Sequence, residues 1–144
     1  MGSATKGKVL VEARIESLED LFRSRQSGLA AEQVRTVTIP DALVDTGATI
    51  LGMPRALIDQ LGLRQVGTRR ARTAGGVRDF DIFEAIRLTI AGRQCTVEVS
   101  QVPDDCPVLI GQIPLEALDF VVDPQGQRLI GNPDHGGEQM IDMF

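Results

Sequence analysis

Ala42-Leu43-Val44 is an unbroken apolar run that stops on Asp45-Thr46-Gly47-Ala48-Thr49, and no other stretch restricts the fold as much. A short apolar run bounded by turn residues reads as a strand buried on both faces. Asp45 then holds a carboxylate at the end of a core strand, and Gly47 permits a tight turn that a Cβ would obstruct. The backbone N–H groups of such a turn are placed to bond the carboxylate. Burial disfavours a carboxylate's charge while hydrogen bonds favour it, so a group held this way can be tuned for proton transfer.

A second segment belongs with the first. Val108-Leu109-Ile110-Gly111 is an apolar run closing on glycine, followed by Gln112-Ile113-Pro114-Leu115-Glu116-Ala117-Leu118. Together these residues resemble the retropepsin-like, retroviral-type aspartic proteases. Asp45-Thr46-Gly47-Ala48 after Leu43-Val44 is similar to the family's active-site loop, and residues 108–118 are similar to its apolar-apolar-Gly segment and short C-terminal helix. Gly111 lies 66 positions beyond Asp45, a separation that suits one compact protomer. The resemblance covers Thr36 to Ile130. It implies a mostly-β, closed barrel-like protomer with short helices, and a homodimer that completes the active site.

The same resemblance implies roles for individual residues. Asp45, Thr46 and Gly47 would be the catalytic set: Asp45 the acid, Thr46 bonding across the dyad to the partner loop, and Gly47 lending its N–H to the carboxylates. Ala48 and Thr49 would contact substrate, together with Ala74, Gly75, Gly76 and Val77 at the tip of a flap. Leu109, Ile110 and Gly111 would pass beneath the loop, Gly111 being small because two backbones come close there. Ala48 stands where pepsin-like enzymes place a hydroxyl. The lost hydrogen bond implies a pH optimum nearer neutrality. Thr49 departs from the acidic residue that many retroviral enzymes carry at that position. The expected activity is aspartic endopeptidase. The alternative is a catalytically silent dimer of the same fold that binds peptide or protein. Asp45-x-Gly47-x-Thr49 also fits a phosphate loop of the actin and sugar-kinase type, but that fold needs two lobes and a second such loop, more than 144 residues supply.

Only one Asp-Thr-Gly occurs in the chain. Aspartic proteolysis needs two carboxylates sharing a proton, a general property of aspartic dyads. Asp104-Asp105 and Asp123 lack the apolar strand and the small-residue loop. A second copy related by a two-fold axis is the implied source of the other acid.

Composition narrows the remaining classes. A chain of 144 residues with 42% hydrophobic and 24% charged residues reads as one soluble domain, residues 9–144, after a flexible or vector-derived stretch at residues 1–8. Net charge is −5 and both Trp and Tyr are missing, which argues against a nucleic-acid partner. No apolar run is long enough to span a bilayer and no signal-peptide pattern follows Met1, so no membrane partner is expected and the default location is the cytoplasm. Cys95 and Cys106 have neither metal-ligand nor framework spacing. No metal or cofactor is expected, and Cys95, alternating with Val97 and Val99, reads as a small core residue.

Along the chain, Val9 to Ile15 alternates as a strand, and Ser17-Leu18-Glu19-Asp20 opens a helix whose Leu18, Leu21 and Phe22 should pack on a sheet face. Val34 to Ile39 reads as a second strand, with Pro40-Asp41 turning the chain into Ala42–Val44. Pro54 begins a helix carrying Leu57, Ile58 and Leu61, which Gly62 ends. Thr73-Ala74-Gly75-Gly76-Val77 is a hairpin turn flanked by Arg69, Arg70, Arg72 and Arg78, charges read as a solvated strand face and secondarily as a preference for acidic substrates. Ala91-Gly92 and Pro124-Gln125-Gly126 turn two further hairpins. His135 reads as a loop residue. The tail, residues 139–144, ends on apolar Met140, Ile141, Met143 and Phe144, expected in an interface with the partner copy or against its own protomer.

Overall fold

Strand β1 (Val9–Ser17) hydrogen-bonds two neighbours, β2 (Thr36–Val44) on one side and the far half of β5 (Gly76–Ile90) on the other, and this double pairing closes the sheet into a ring. The computed structural model describes residues 8–143. The expectations for residues 1–7 and for Phe144 lie outside the described residues. Around the ring the strands run β1, β2, β7 (Leu109–Ile110), β3 (Leu51–Pro54), β6 (Arg93–Val102) and β5, which returns to β1. Strand β4 (Gln65–Thr73) flanks the ring on β5. The protomer is thus mostly β and barrel-like, with three short α-helices among the described residues: α1 (Leu18–Gln26), α2 (Arg55–Gln60) and α3 (Gln112–Leu118).

Closure depends on one irregularity in β5. Between Phe83 and Ile86 the β5–β6 register gains a residue on β5, a bulge at Glu84-Ala85. Residues up to Phe83 pair with β4, and residues from Ile86 pair with β1. A bulge bends its strand and increases the local twist, which lets one long strand serve both partners. Inside the ring lie Ala13, Ile15, Leu51, Met53, Ile86 and Leu88, all fully buried, with Ile58 of α2, Leu61 just after it, and Leu115 and Leu118 of α3 in the same core. Inward residues alternate along β1 and β5, the period that the sequence shows.

Several local expectations need correction. Pro40-Asp41 makes no turn between strands: β2 is continuous from Thr36 to Val44, and the extra residue there is a bulge opposite β1. Proline cannot donate to the ladder, and a bulge is one of the few sheet positions that tolerates it. Pro54 caps α2 from the end of β3 and is not its first helical residue. Helix α1 starts where expected, its Ser17 Oγ accepting from the Asp20 N–H at 3.2 Å, but its apolar face is not what anchors it. Phe22 stays 50% exposed, while Asp20 is buried. Asp20 takes Arg35 Nε at 2.7 Å, Arg35 Nη2 at 2.9 Å and the Arg35 N–H at 2.9 Å. These bonds hold the Asp20 carboxyl below its ordinary pKa against the opposing effect of burial. A helix only nine residues long is docked by a charged clamp to the entrance of β2.

Candidate active site

Asp45 follows β2 directly, and its place is set by backbone. Leu43 N–H donates to the Val108 carbonyl at 2.8 Å and Asp45 N–H to the Ile110 carbonyl at 2.9 Å, a parallel pairing of β2 with β7. The chain then turns, Ala48 N–H reaching the Asp45 carbonyl at 3.0 Å. Within that turn Gly47 N–H donates to Asp45 Oδ1 at 3.0 Å, among the described residues the one hydrogen bond the carboxylate accepts. A Cβ on Gly47 would stand 3.2 Å from that same oxygen. Gly47 is not among the residues with positive φ, so what favours glycine here is the closeness of backbone to carboxylate, which a Cβ would push aside by a few tenths of an ångström. Leu43, Val44 and Asp45 are half-buried in the single protomer, and Thr46 is exposed beside them, so only Ala42 of the run is fully enclosed.

The segment after β7 holds the loop from behind. Gly111 N–H donates to the Ile50 carbonyl at 3.0 Å, Gln112 N–H to the Ala48 carbonyl at 2.9 Å, and Ile113 N–H to the Thr49 carbonyl at 2.9 Å. The first N–H groups of a helix have no partner within it, and in α3 two of them clamp the Asp45 loop. Pro114 costs nothing at the third position of α3, where an N–H would also lack an intrahelical acceptor. Leu109 is half-buried, while Ile110 and Gly111 are buried.

In front of the loop is a cleft of about 410 Å³ lined by Asp45, Gly47, Ala48 and Thr49. Its other walls are Ile50, Gly52, Phe80, Ile82, Ser100, Val102 and Leu109, with the five consecutive residues Arg69 to Thr73 of β4. A strand seen face-on would offer every second residue. Five in succession mean that the edge of β4 borders the cleft, and among the described residues that edge pairs with no other strand. Ala74, Gly75, Gly76 and Val77 form the hairpin tip, where Thr73 pairs with Gly76, Gly75 N–H donates to Thr73 Oγ1 at 3.2 Å, and Gly76 takes φ +110°. All four are exposed and stand beyond the cleft wall. The structure therefore brings Asp45, Gly47, Ala48, Thr49 and Leu109 to one cavity and leaves the tip apart from it. Gly52, Phe80, Ile82, Ser100 and Val102 were not foreseen. The alternation of Phe80 with Ile82 was a usable signal, but which face of β5 meets the cleft depends on the ring.

At the opposite end of α3 is a second polar cluster. Asp119, in the left-handed region at φ 60°, is buried and accepts from His135 Nδ1 at 2.6 Å, Met140 N–H at 3.0 Å and Asn132 Nδ2 at 3.2 Å. His135 Nε2 lies 3.3 Å from Asp142. Its hydrogen bond to Asp119 raises the His135 pKa, and the same bond lowers that of Asp119. Arg93 donates to the carbonyls of Leu118, Asp119 and Gly137 and stacks on Phe120 at 4.4 Å. His135 is therefore a fastener and not a plain loop residue. The tail backbone is tied to its own protomer at Met140, while the Ile141 and Met143 side chains remain 70% exposed. Cys95 and Cys106 are both free thiols, and burial pushes Cys95 up to about 11. Among the described residues no His, Cys, Asp and Glu cluster has metal-binding geometry, and no helix is long and apolar enough to cross a membrane.

A closed β-ring that holds an Asp-Thr-Gly loop against an apolar-Gly segment, beside an open hairpin, is the layout of a retropepsin-like protomer. Residues 37–117 match the family described as "gag-polyprotein putative aspartyl protease", and because the match spans more than half of the chain, the protein belongs to that family. Among solved structures it is similar to the solution structure of simian foamy virus (mac) protease, with 23% identity and a TM-score of 0.46 over 76% of this chain and 93% of that one. No curated protein matches the sequence.

Proposed function

We propose that the chain is a homodimeric aspartic endopeptidase in which Asp45 of each copy faces the other across a two-fold axis. The observation that carries this reading is the single Asp-Thr-Gly acid, held by Gly47 at the mouth of a cleft of peptide-binding size. One ionised carboxylate would take a proton from a water as it attacks the scissile carbonyl. The other, protonated, would give its proton to the carbonyl oxygen; as the C–N bond breaks, the first would pass the water's proton to the leaving amine and the second would recover a proton from a hydroxyl of the tetrahedral intermediate. Thr46, exposed next to Asp45, would bond to the partner loop, and Ala48 and Thr49 would contact the substrate backbone. The free edge of β4 would add the peptide as an extended strand, and the tip, Ala74 to Val77, would close over it. Leu109, Ile110 and Gly111 would hold the loops rigid from behind. The exposed Met140, Ile141 and Met143 side chains would pack against the second copy.

The test joins turnover to association. Wild type and Asp45→Asn are compared on a peptide library from acidic to neutral pH, with sedimentation of both. Cleavage by the wild-type dimer and its loss in a still-dimeric variant support the enzyme. Binding of peptides by both proteins with cleavage by neither would leave a silent peptide-binding dimer.

A further inference from the structure

We infer that the cleft takes peptides with an acidic side chain beside the scissile segment, and that Arg72 is the residue that recognises it. The inference rests on the peptide-binding reading of the Asp45 cleft and specifies its substrate. The whole chain carries a net charge of −5, yet three of the four residues from Arg69 to Arg72 are arginines and all three border the cleft. Among the described residues the only carboxylate lining that cleft is Asp45. Two of the arginines already have partners: Arg69 meets Glu98 at 3.1 Å and Arg70 meets Asp79 at 3.4 Å. Among the described residues Arg72 enters no ion pair. It is the cleft's uncompensated cation.

Placement makes that charge selective for position. Arg70 and Arg72 share one face of β4, opposite Asp79 and Val77, while Arg69 lies on the other face opposite Phe80. A peptide strand added at the β4 edge would alternate its side chains across these two faces. On one face a side chain meets Phe80 and Ile82, beside an Arg69 whose charge Glu98 already takes. On the other it meets Arg72, whose planar fork matches a carboxylate bidentately. The substrate class that fits is an extended peptide with an apolar residue in the cleft and Glu or Asp at a neighbouring alternate position.

The experiment uses peptides of one apolar core carrying Glu, Gln or Lys at each flanking position in turn, at a pH above the carboxylate range and at two salt concentrations. Cleavage by wild type gives the Glu-to-Gln ratio of kcat/KM, and affinity for Asp45→Asn gives the ratio of Kd without turnover. A roughly tenfold preference for Glu at one position is expected, smaller at high salt. Arg72→Gln should bring that ratio close to one, Arg72→Glu should turn it toward Lys, and Arg25→Gln on α1, which contributes no residue to the cleft lining, should leave it intact. Equal handling of Glu and Gln peptides by active wild type overturns the inference and leaves the protease standing. Absence of cleavage together with a Glu preference in binding keeps the inference and removes the protease. A Glu preference that survives Arg72→Gln overturns the assignment to Arg72.

Discussion

The N–H of Gly111 donates to the carbonyl of Ile50 at 3.0 Å, so the two backbones that frame the candidate acid are in direct contact. A Cβ at position 111 would stand 2.7 Å from the Thr49 carbonyl carbon and closer still to the Ile50 oxygen. Those neighbours are backbone, which cannot rotate away.

Gly111→Ala should therefore destabilise the protein by about 1–3 kcal/mol, the usual cost of overpacking. At this chain length that corresponds to a fall in thermal midpoint of roughly 2–4 °C per kcal/mol. Activity should fall further than stability predicts, because the forced shift is in the Asp45 loop. A variant that melts like wild type would show the contact to be slack.

Asp45→Asn should leave the melting curve within about 0.5 kcal/mol of wild type, since a half-buried amide oxygen can still accept from Gly47 N–H. Proteolysis should drop at least about a hundredfold, the scale of a lost general acid–base group. Paired thermal and kinetic measurements check both halves.

The Asp20–Arg35 clamp predicts acid sensitivity. Because the folded-state pKa of Asp20 is lowered, chiefly by its hydrogen bonds to Arg35, its contribution is complete above the ordinary carboxylate range and is lost as pH falls through the lowered value. Asp20→Asn should cost about 2–3 kcal/mol, less than a fully buried pair because Arg35 is partly exposed. The variant should also flatten the acid limb of stability against pH.

His135 predicts the opposite limb. Its folded-state pKa is raised, so the contact with Asp119 is fully stabilising below about 6.5, the unfolded value, and fades as pH rises through the folded one. Thermal midpoints of wild type should therefore decline from mildly acid to alkaline pH more than those of His135→Gln. Parallel profiles for the two proteins would remove His135 from the fastening of the tail.

If the tail packs against a second copy, Ile141→Asp with Met143→Asp should weaken the dimer. Each buried large apolar side chain is worth about 1.5–3 kcal/mol, or roughly tenfold in association for every 1.4 kcal/mol. Sedimentation at graded concentrations reads the change, and unaltered association would remove the tail from the interface.

Much was legible from local pattern. The alternation of Val9 to Ile15, the Ser17 cap, the Ala91-Gly92 turn and the span of α3 are decided within a few residues by side-chain period and turn chemistry. So was the Asp45 loop, because an apolar strand ending in Asp-Thr-Gly has few ways to satisfy its polar groups. Ring closure was not legible, since it depends on a bulge at Glu84-Ala85 that lets β5 change partners, and bulges leave little trace in hydrophobic period. Nor could sequence say that Arg69 to Thr73 would border the cleft while the glycine tip stood beyond it, or that His135 would meet Asp119 across sixteen positions. The sequence by itself determined most of the strands and hairpin turns and the loop that presents Asp45, because those follow from near neighbours. The tertiary structure alone decided what faces the Asp45 carboxylate, because long-range pairing brings together side chains with no local reason to meet.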